Sequence, residues 1–338
     1  MKLLLLLPTG CLAFLFCYCT GKPDTSRLKT TVSPDSIQAV QIPVPDTAPK
    51  PILIRKALLY DKHTLDDTYA YKDTTRRFQW DKIKSGLATV EKIRKQQARW
   101  GILQNYRNRN GEAPLVKNFR RDSYKRVADT LGVERYQSVP LYLTTDTAAP
   151  ELYGHDGSLV KYLGKRDTSS RFTEIETVYT EGTWKVPDKY LKLIDDTVSF
   201  DKVIFVDRIN QNIATLEKTD TVWLVRSMNP ATTGVHRPPY AQETPLGIFV
   251  IQEKKPRMIY LVDGSQATGG FAPYASRFSN GGYIHGVPVN APRTALIEFS
   301  PTLGTTPRSH MCVRNATSHA KFIYDWAPAN GALVFVFD

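Results

Sequence analysis

Ser309-His310-Met311-Cys312-Val313-Arg314, close to the C-terminal end of a chain of 338 residues, is the stretch from which the fold can be predicted. Cys312 is the last of four cysteines, and the other three lie within the first nineteen residues. A second histidine, His285, lies upstream in Gly282-Tyr283-Ile284-His285-Gly286. A thiol, two histidines and an arginine in one part of the chain indicate a nucleophile and the groups that assist it.

The pattern around Cys312 suits acyl transfer. A cysteine attacks as the thiolate, and a neighbouring histidine can take its proton. His310 would share a face with Cys312 on an extended segment, whereas His285 would come from another strand. Arg314 has the same parity as Cys312 and could bind a substrate carboxylate. In the alternative interpretation, Cys312 is a buried inert side chain, His310 caps a turn and Arg314 pairs with a surface acid.

Residues 1–19 are predicted to be an export signal rather than part of the fold. Met1-Lys2 supplies a short positive start, and an interrupted apolar run follows as far as Phe16. This is the pattern of a secretory signal, and the run is too short and too interrupted for a transmembrane helix. The sequence therefore predicts an exported, periplasmic protein.

The export signal is either an ordinary cleaved one or that of a lipoprotein. Cys11, Cys17 and Cys19 all lie where a lipidated cysteine would be found, and Cys19 is preferred because polar residues follow it. A lipid on Cys19 would anchor the protein to a membrane face without spanning it. Once the signal is removed, Cys312 has no partner for an internal disulfide. A lone thiol in an oxidising compartment is a liability unless it has a use.

Residues 20–51 are predicted to be a disordered tether. They contain six prolines and many polar residues, with little apolar periodicity, so they cannot bury enough surface to fold. The net charge of +12 and the pI of about 9.4 favour anionic partners. For an exported protein these are cell-wall polymer or anionic lipid rather than nucleic acid, although a basic surface without a partner fits equally. No oligomeric state is predicted.

Residues 52–200, called here the N-terminal region, are predicted to be a smaller α+β part. Apolar residues spaced by three and four predict a helix from Asp81, its N-cap, to Trp100. A second helix is predicted around residues 123–131, followed by short strands with glycine turns. Residues 135–193 resemble a bacterial SH3-like barrel in Tyr153-Gly154-His155-Asp156-Gly157-Ser158 and in the closing Gly182-Thr183-Trp184-Lys185-Val186-Pro187. Such a barrel would bind the cell wall or only pack against its neighbour.

Residues 201–338 are predicted to be mostly β, with one helix from Ala320 to Trp326 that Pro328 ends. The whole chain is therefore predicted to be mainly β with some α. Short apolar runs separated by Gly and Pro turns predict the strands: Val203–Asp207, Asn210–Leu216, Val222–Val225, Gly247–Ile251, Met258–Val262, Thr294–Phe299 and Leu333–Phe337.

This last part resembles the catalytic domain of the L,D-transpeptidases, also called the YkuD domain. Val206-Asp207 with Gln211 is similar to the family's first hairpin, and Thr244-Pro245-Leu246-Gly247 to its Thr-Pro-x-Gly turn. His285-Gly286 and then Ser309–Arg314 are similar to its signature of a histidine followed by Ser-His-Gly-Cys-(Ile/Val)-Arg. The resemblance covers about 130 residues in the family's order.

The resemblance implies a β-sandwich-like fold and a reaction on peptidoglycan stem peptides. Cys312 would attack the carbonyl before the terminal D-alanine of a stem tetrapeptide, release D-alanine and pass the acyl group to an amine. His285 matches the general base, and the carbonyl of Gly286 would orient its ring. His310 matches the supporting histidine of the motif. Substrate-binding positions are implied for five residues of the two motifs: Ser309, Arg314, Gly286, Tyr283 and Met311.

Two departures from the family pattern bear on substrate choice. Met311 stands where the family usually has glycine, which permits a tight backbone path. The stretch from His285 to Ser309 is also longer than is commonest, which predicts a strand and an enlarged loop over the site at residues 290–304. The alternatives left open are an L,D-carboxypeptidase that uses water, a silent cell-wall-binding protein and a different cysteine hydrolase.

No cofactor or metal is expected. The remaining histidines are scattered without ligand spacing, and no glycine-rich phosphate loop is present.

Overall fold

The computed structural model describes residues 51–106, 120–121, 127–128, 138–237 and 240–338. Lys50–Asp338 form one compact unit. The predicted export signal with Cys19 lies outside the described residues, as does the predicted tether up to residue 50. The predicted helix at residues 123–131 lies mostly outside them too, and Val127–Ala128 form a strand instead. In chain order the strands are β1 Leu53–Lys56, β2 Thr68–Tyr71, β3 Thr74–Arg77, β4 Arg99–Leu103, β5 Arg120–Arg121, β6 Val127–Ala128, β7 Ser138–Leu141, β8 Leu152–His155, β9 Leu159–Gly164, β10 Phe172–Thr177, β11 Thr183–Pro187, β12 Leu191–Leu193, β13 Lys202–Asp207, β14 Asn212–Thr219, β15 Val222–Pro230, β16 Gly247–Val250, β17 Glu253–Leu261, β18 Thr268–Ser279, β19 Gly282–His285, β20 Val289–Asn290, β21 Val313–Arg314 and β22 Ala332–Phe337.

A central six-stranded sheet has the order β1-β15-β14-β13-β22-β16. Its inner strands β13 and β22 are largely continuous apolar runs because both faces of the sheet are covered there. Along β13, Phe205 belongs to one core, and its neighbours Ile204 and Val206 belong to the other. The parallel partner β22 alternates in the same way, so each strand contributes to two cores at once.

A second sheet, in the order β17-β18-β19-β21 with β20 paired to β18, packs against one face of the central sheet. Ile284 from β19 and Val313 from β21 share a core with Val206 of the central sheet. Helix α2, Thr317–Trp326, contributes Ile323 to the same core. Two sheets joined through one apolar layer form a sandwich. The prediction of a mainly β, sandwich-like fold is confirmed.

The N-terminal region covers the other face of the central sheet. Helix α1, Trp80–Lys95, turns Ile83, Leu87 and Val90 into the core that also contains Phe205. A five-stranded sheet, β11-β10-β9-β4-β12, forms a smaller core of its own. Strand β1 pairs in parallel with β15 and so belongs to the central sheet. The predicted boundary at residue 200 therefore lies inside one compact unit.

Several predicted elements differ from the structure. Helix α1 begins at Trp80 after Gln79, so Asp81 lies in its first turn and is not the cap. It ends at Lys95 because Trp100 and Ile102 have the period of a strand and lie in β4. The predicted strand at residues 294–299 is wrong: this segment is irregular and mostly exposed. Helix α2 confirms the helix predicted before Pro328. No helix of the described residues is both long and apolar enough to cross a bilayer.

The turn after β8 brings the N-terminal region against the second sheet at Gly157. This glycine has a φ of +91°, and a Cβ placed there would lie 1.8 Å from the carbonyl oxygen of Phe278. Its N–H donates to the Leu103 carbonyl at 2.7 Å, and its carbonyl accepts from the N–H of Val250 at 3.0 Å. The turn is therefore hydrogen-bonded to both parts of the molecule.

Gly157→Ala is expected to lower the free energy of unfolding by about 3 kcal/mol or more, because backbone strain and a clash with a backbone atom add together. Gly164→Ala is the matched control: its φ is +107°, and no atom lies within 4 Å of a Cβ there. Gly164→Ala should lower the free energy of unfolding by only about 1–2 kcal/mol. Urea unfolding measures both, and equal losses would contradict the close approach at Gly157.

Candidate active site

Two adjacent parallel strands position Cys312 and His285: His285 ends β19, and Cys312 immediately precedes β21. In the pairing of β19 with β21, Ile284 lies opposite Val313 and His285 opposite Arg314. Because side chains alternate along a strand, Tyr283 and His285 share a face with Cys312 and Arg314. All four line one cleft of about 970 Å³.

His285 is held in one orientation by its neighbour. Its Nδ1 lies 2.6 Å from the Gly286 carbonyl oxygen, so Nδ1 carries the hydrogen and Nε2 is left as a proton acceptor. Burial lowers the pKa of His285 to about 4; the Gly286 hydrogen bond opposes this, and the charge of Arg314 adds to it. Gly286 cannot carry a side chain, since a Cβ would lie 2.7 Å from the Thr317 hydroxyl. The resting imidazole is neutral at physiological pH.

Cys312 is a buried thiol at the edge of the cleft, with 9% of its surface exposed. Burial raises its pKa, while a backbone hydrogen bond from Tyr283 and the charge of Arg314 act in the opposite direction. The Sγ lies 3.6 Å from the Gly281 carbonyl oxygen, a contact in which the thiol is the donor. The resting pair is therefore a neutral thiol and a neutral imidazole, poised to exchange a proton only when the thiol attacks.

The segment before Cys312 is fixed by Thr244, the first residue of the Thr-Pro-x-Gly turn. Its buried hydroxyl donates to the Met311 carbonyl at 2.7 Å and accepts from the N–H of Gly234 at 2.9 Å. The Ser309 hydroxyl donates to the carbonyl of Cys312 itself. Ser309 thus holds the backbone that carries the nucleophile.

Met311 has the backbone conformation of a glycine. Its φ is +135°, and its side chain is buried, with 2% exposed. A side chain in this region of φ is strained by about 1–3 kcal/mol. The tight path that glycine permits in the family pattern is therefore present here despite Met311.

At Met311 the glycine variant should be more stable than the alanine variant, which reverses the usual order. Both variants lose the buried side chain, but only Met311→Gly relieves the backbone, so it should be more stable than Met311→Ala by about 1 kcal/mol. The control is Met228, which is equally buried in β15 without a positive φ. There Ala should be more stable than Gly. Urea unfolding of the four variants decides, and the same order at both positions would contradict strain at Met311.

His310 lies at the rim of the cleft and not beside His285. Its side chain is 49% exposed, and Nε2 lies 2.9 Å from an Asp263 carboxylate oxygen. The chain bends at residues 310–311, so the predicted extended segment from His310 to Cys312 does not form. This bend follows from the positive φ of Met311.

The cleft has a cationic and aromatic lining. Arg314 is partly buried; its Nε has no hydrogen-bond partner, and among the described residues it forms no ion pair. Burial raises the pKa of Tyr283, whose hydroxyl accepts from Lys255 at 3.3 Å and donates to Glu253 at 3.4 Å. Lining residues that the sequence analysis did not predict include Tyr106, Tyr240, Lys255, Arg257 and Tyr260.

The loop predicted at residues 290–304 borders the cleft through Asn290 and Ser300. Its middle is attached elsewhere: the N–H of Thr317 donates to the Glu298 carbonyl at 2.8 Å, and the Thr317 hydroxyl donates to the Ile297 carbonyl at 2.6 Å. No group of three or more His, Cys, Asp or Glu in the described part of the chain is arranged to hold a metal ion.

The family model of the YkuD L,D-transpeptidase catalytic domain matches residues 201–336. These residues are a YkuD L,D-transpeptidase catalytic domain. The match includes every residue of the second sheet, the loop with Cys312 and helix α2. No curated protein matches the chain.

Solved structures similar to the chain include L,D-transpeptidases. An L,D-transpeptidase from Mycobacterium smegmatis is 18% identical over 53% of this chain and 82% of its own, with a TM-score of 0.33. L,D-transpeptidase 3 from Mycobacterium tuberculosis, in complex with a faropenem-derived adduct, is 18% identical over 55% and 93%, with a TM-score of 0.34. A fused Zn-dependent amidase/peptidase/peptidoglycan-binding domain-containing protein from Clostridium acetobutylicum is 21% identical over 41% of this chain, with a TM-score of 0.31. The chain spans about half of that protein, 53% of its length. At these values the similarities carry no functional argument, and the family assignment rests on residues 201–336.

Proposed function

We propose that this protein is a cysteine-dependent L,D-transpeptidase that acts on the tetrapeptide stems of peptidoglycan. The observation that carries the proposal is the placement of Cys312, immediately before β21, and of His285, at the end of the adjacent β19, in one cleft. Nδ1 of His285 is hydrogen-bonded there to the Gly286 carbonyl. This leaves Nε2 as the acceptor for the thiol proton. A nucleophile, a base and a group that orients the base are the parts that acyl transfer needs.

In the first half of the reaction, the Cys312 sulfur attacks the carbonyl carbon of the bond between the third stem residue and the terminal D-alanine. The thiol proton passes to Nε2 of His285 and then to the nitrogen of the departing D-alanine. The C–N bond breaks as the C–S bond becomes a thioester. Proton transfer at the moment of attack suits a thiol whose pKa is raised and an imidazole whose pKa is lowered.

In the second half, an amine attacks the thioester and gives its proton to His285. The sulfur leaves and recovers a proton from the imidazolium, so the enzyme returns to its starting state. An amine of another stem gives a crosslink, an amine of a protein gives an attachment to the wall, and water gives carboxypeptidase activity. The three routes differ only in the acceptor.

The charge of the cleft suits an acidic stem. Arg314, on the face of Cys312, has an Nε with no hydrogen-bond partner, and Lys255 and Arg257 of β17 line the same cleft. Carboxylates of the stem would be held by these cations. Ser309 and Met311 shape the backbone beside the thiol, and His310 assists from the rim, where Asp263 orients it.

The location follows from the substrate. We propose that the protein is exported and works at the cell wall, with residues 1–19 as the signal and Cys19 as the lipid-anchored residue. Residues 20–51 would then be the tether, residues 52–200 an accessory region with an SH3-like part, and residues 201–338 the catalytic domain.

Intact-mass analysis with defined tetrapeptide muropeptides tests the proposal. We expect free D-alanine, a transient mass increase equal to the acyl group and, after proteolysis, a modified peptide that contains Cys312. Product masses show whether an amine or water completed the reaction. Binding without D-alanine release or an adduct would instead indicate a silent cell-wall-binding protein.

A further inference from the structure

The N-terminal region contributes a wall to the cleft of the transpeptidase domain. Tyr106 follows β4 and lines the same cleft as Cys312 and His285. The Arg277 guanidinium lies over its ring at 4.4 Å, and its hydroxyl is hydrogen-bonded to that of Tyr283. Tyr283 in turn lies on the face of Cys312. A residue from outside the matched domain thus borders the reaction site.

Asp156 holds this wall in place from a fully buried position. Its Oδ1 accepts from the backbone N–H of Asn105 at 2.9 Å, next to Tyr106 in the chain. Its Oδ2 accepts from Arg277 Nη1 at 2.6 Å, from the N–H of Asn280 at 3.0 Å and from Gln252 Nε2 at 3.1 Å. One carboxylate therefore joins the Tyr106 segment to the strands that carry the site.

The segment is attached at further points. Gln104 Nε2 donates to Gln252 Oε1 at 3.0 Å, and the N–H of Leu103 donates to the Ser158 carbonyl at 3.0 Å. Arg277 lies opposite Tyr283 in the pairing of β18 with β19. The Asp156–Arg277 pair consequently fixes Tyr106 on one side and the strand beside the nucleophile on the other.

We propose that Tyr106 is a substrate-binding residue of the cleft and that Asp156 is the positioning residue that holds it there. The proposal rests on the proposed function, since the ligand it names is the peptide part of a stem. The ring of Tyr106 supplies a flat apolar surface for the methyl and methylene groups of that peptide. The N-terminal region thereby takes part in substrate choice.

The test measures binding without turnover. In a Cys312→Ala background, the Kd for a defined disaccharide-tetrapeptide muropeptide is determined by calorimetry. Tyr106→Ala should raise the Kd about tenfold. Tyr106→Phe keeps the ring and should change it less than about threefold. The matched control is Tyr162→Ala, because Tyr162 also has an arginine, Arg99, over its ring, at 5.3 Å, but is not among the lining residues. Tyr162→Ala should leave the Kd for the muropeptide unchanged.

Asp156 is tested through its coupling to Tyr106. Asp156→Asn should raise the Kd about as much as Tyr106→Ala, and the two changes together should raise it no further, because both act on one wall. If Asp156 had a merely structural role, the two changes would act independently, and their fold-increases in Kd would multiply in the double variant. Removal of one partner of a buried ion pair can prevent folding. If it does, the neutral pair Asp156→Asn with Arg277→Gln takes its place, and the same lack of additivity is expected.

Two outcomes would overturn the inference about Tyr106: an unchanged Kd for Tyr106→Ala, or no binding of the muropeptide by the Cys312→Ala protein. Multiplying effects would overturn the role of Asp156. The proposed function is judged separately, by D-alanine release from the protein with Cys312 intact. Release together with an unchanged Kd would leave the function standing and remove Tyr106 from the site.

Discussion

Cys312→Ala is expected to abolish D-alanine release and the covalent adduct, with a fall in kcat of at least about 10⁴-fold. Among the described residues that line the cleft, Cys312 is the one thiol, and His285 in the same cleft is a proton acceptor. The side chain removed is small and lies at the edge of a core, so the fold should persist. The loss should appear in the chemical step and not in binding.

D-alanine release, intact mass and muropeptide binding are measured for the wild-type protein and for Cys312→Ala. The Kd should stay within about threefold of the wild-type value, since the cations that hold the stem are untouched. Cys312→Ser serves as a second variant, because its hydroxyl keeps the shape but ionises far less readily than a thiol. Wild-type rates of release from the alanine variant would show that the reaction does not pass through Cys312, and the enzymatic proposal would fail.

The apolar pattern predicted most of the sandwich because the strands of the central sheet are buried on both faces. Residues 203–206 and 333–337 are apolar throughout, and the strands predicted at 203–207 and 333–337 lie within a residue of those in the structure. Helix α2 was predicted for a related reason: its apolar stripe is regular, and Pro328 follows its end.

Strand β18 was not predicted, although it is a strand of twelve residues at the centre of the second sheet. Gly269-Gly270 and Pro273 interrupt its pattern, and these residues ordinarily indicate turns. In the structure, Gly270 has a φ of +146° and a Cβ there would lie 2.1 Å from the Val289 carbonyl oxygen, so the glycine permits close approach of β20. The opposite error concerns residues 294–299, where a strand is predicted and none forms. Their backbone groups bond to helix α2 instead of to a strand.

The residues of the candidate site also divide into those that local sequence patterns predict and those that they do not. Cys312, His285 and Arg314 were found because their spacing and parity along strands are local properties of the sequence. The places of Asp156 and Tyr106 depend on contacts with Arg277, more than a hundred residues away in the chain. No local pattern contains such contacts. The bend at Met311 was missed for another reason: a methionine gives no sign of a positive φ, which only the surrounding structure imposes.

His285→Gln is expected to lower kcat about 10²–10⁴-fold, the usual worth of a positioned base. Glutamine can still bond to the Gly286 carbonyl but cannot accept the thiol proton. His310→Gln is the matched control, since His310 belongs to the same motif but is half exposed and bonded to Asp263. His310→Gln should lower kcat less than about tenfold. A larger loss for His310→Gln than for His285→Gln would contradict the assignment of the base.

The pH profile separates the two histidines further. Because burial lowers the pKa of His285 to about 4, the neutral base persists as the pH falls through 6.5 and is protonated only near pH 4. The wild-type kcat/KM should therefore stay level through the neutral range and decline near pH 4, as proton uptake removes the acceptor. An exposed histidine would place the decline near pH 6.5. In His285→Gln the level range should disappear, and kcat/KM should rise about tenfold per pH unit toward the raised pKa of Cys312.

The same burial makes the fold sensitive to acid, so unfolding must be followed at each pH. The folded pKa of His285 lies below the unfolded value of 6.5, and burial lowers the pKa of His155 to about 4 and that of His319 to about 3 as well. The unfolded chain therefore binds more protons than the folded one between about pH 6.5 and 3. The stability that these residues contribute is complete above pH 6.5 and declines as the pH falls through that window. The change from a level profile to a decline near pH 4 identifies His285 only if circular dichroism shows the wild-type protein still folded there. The same change of slope should be absent from His285→Gln, whose kcat/KM falls steadily with falling pH, and retained in His310→Gln.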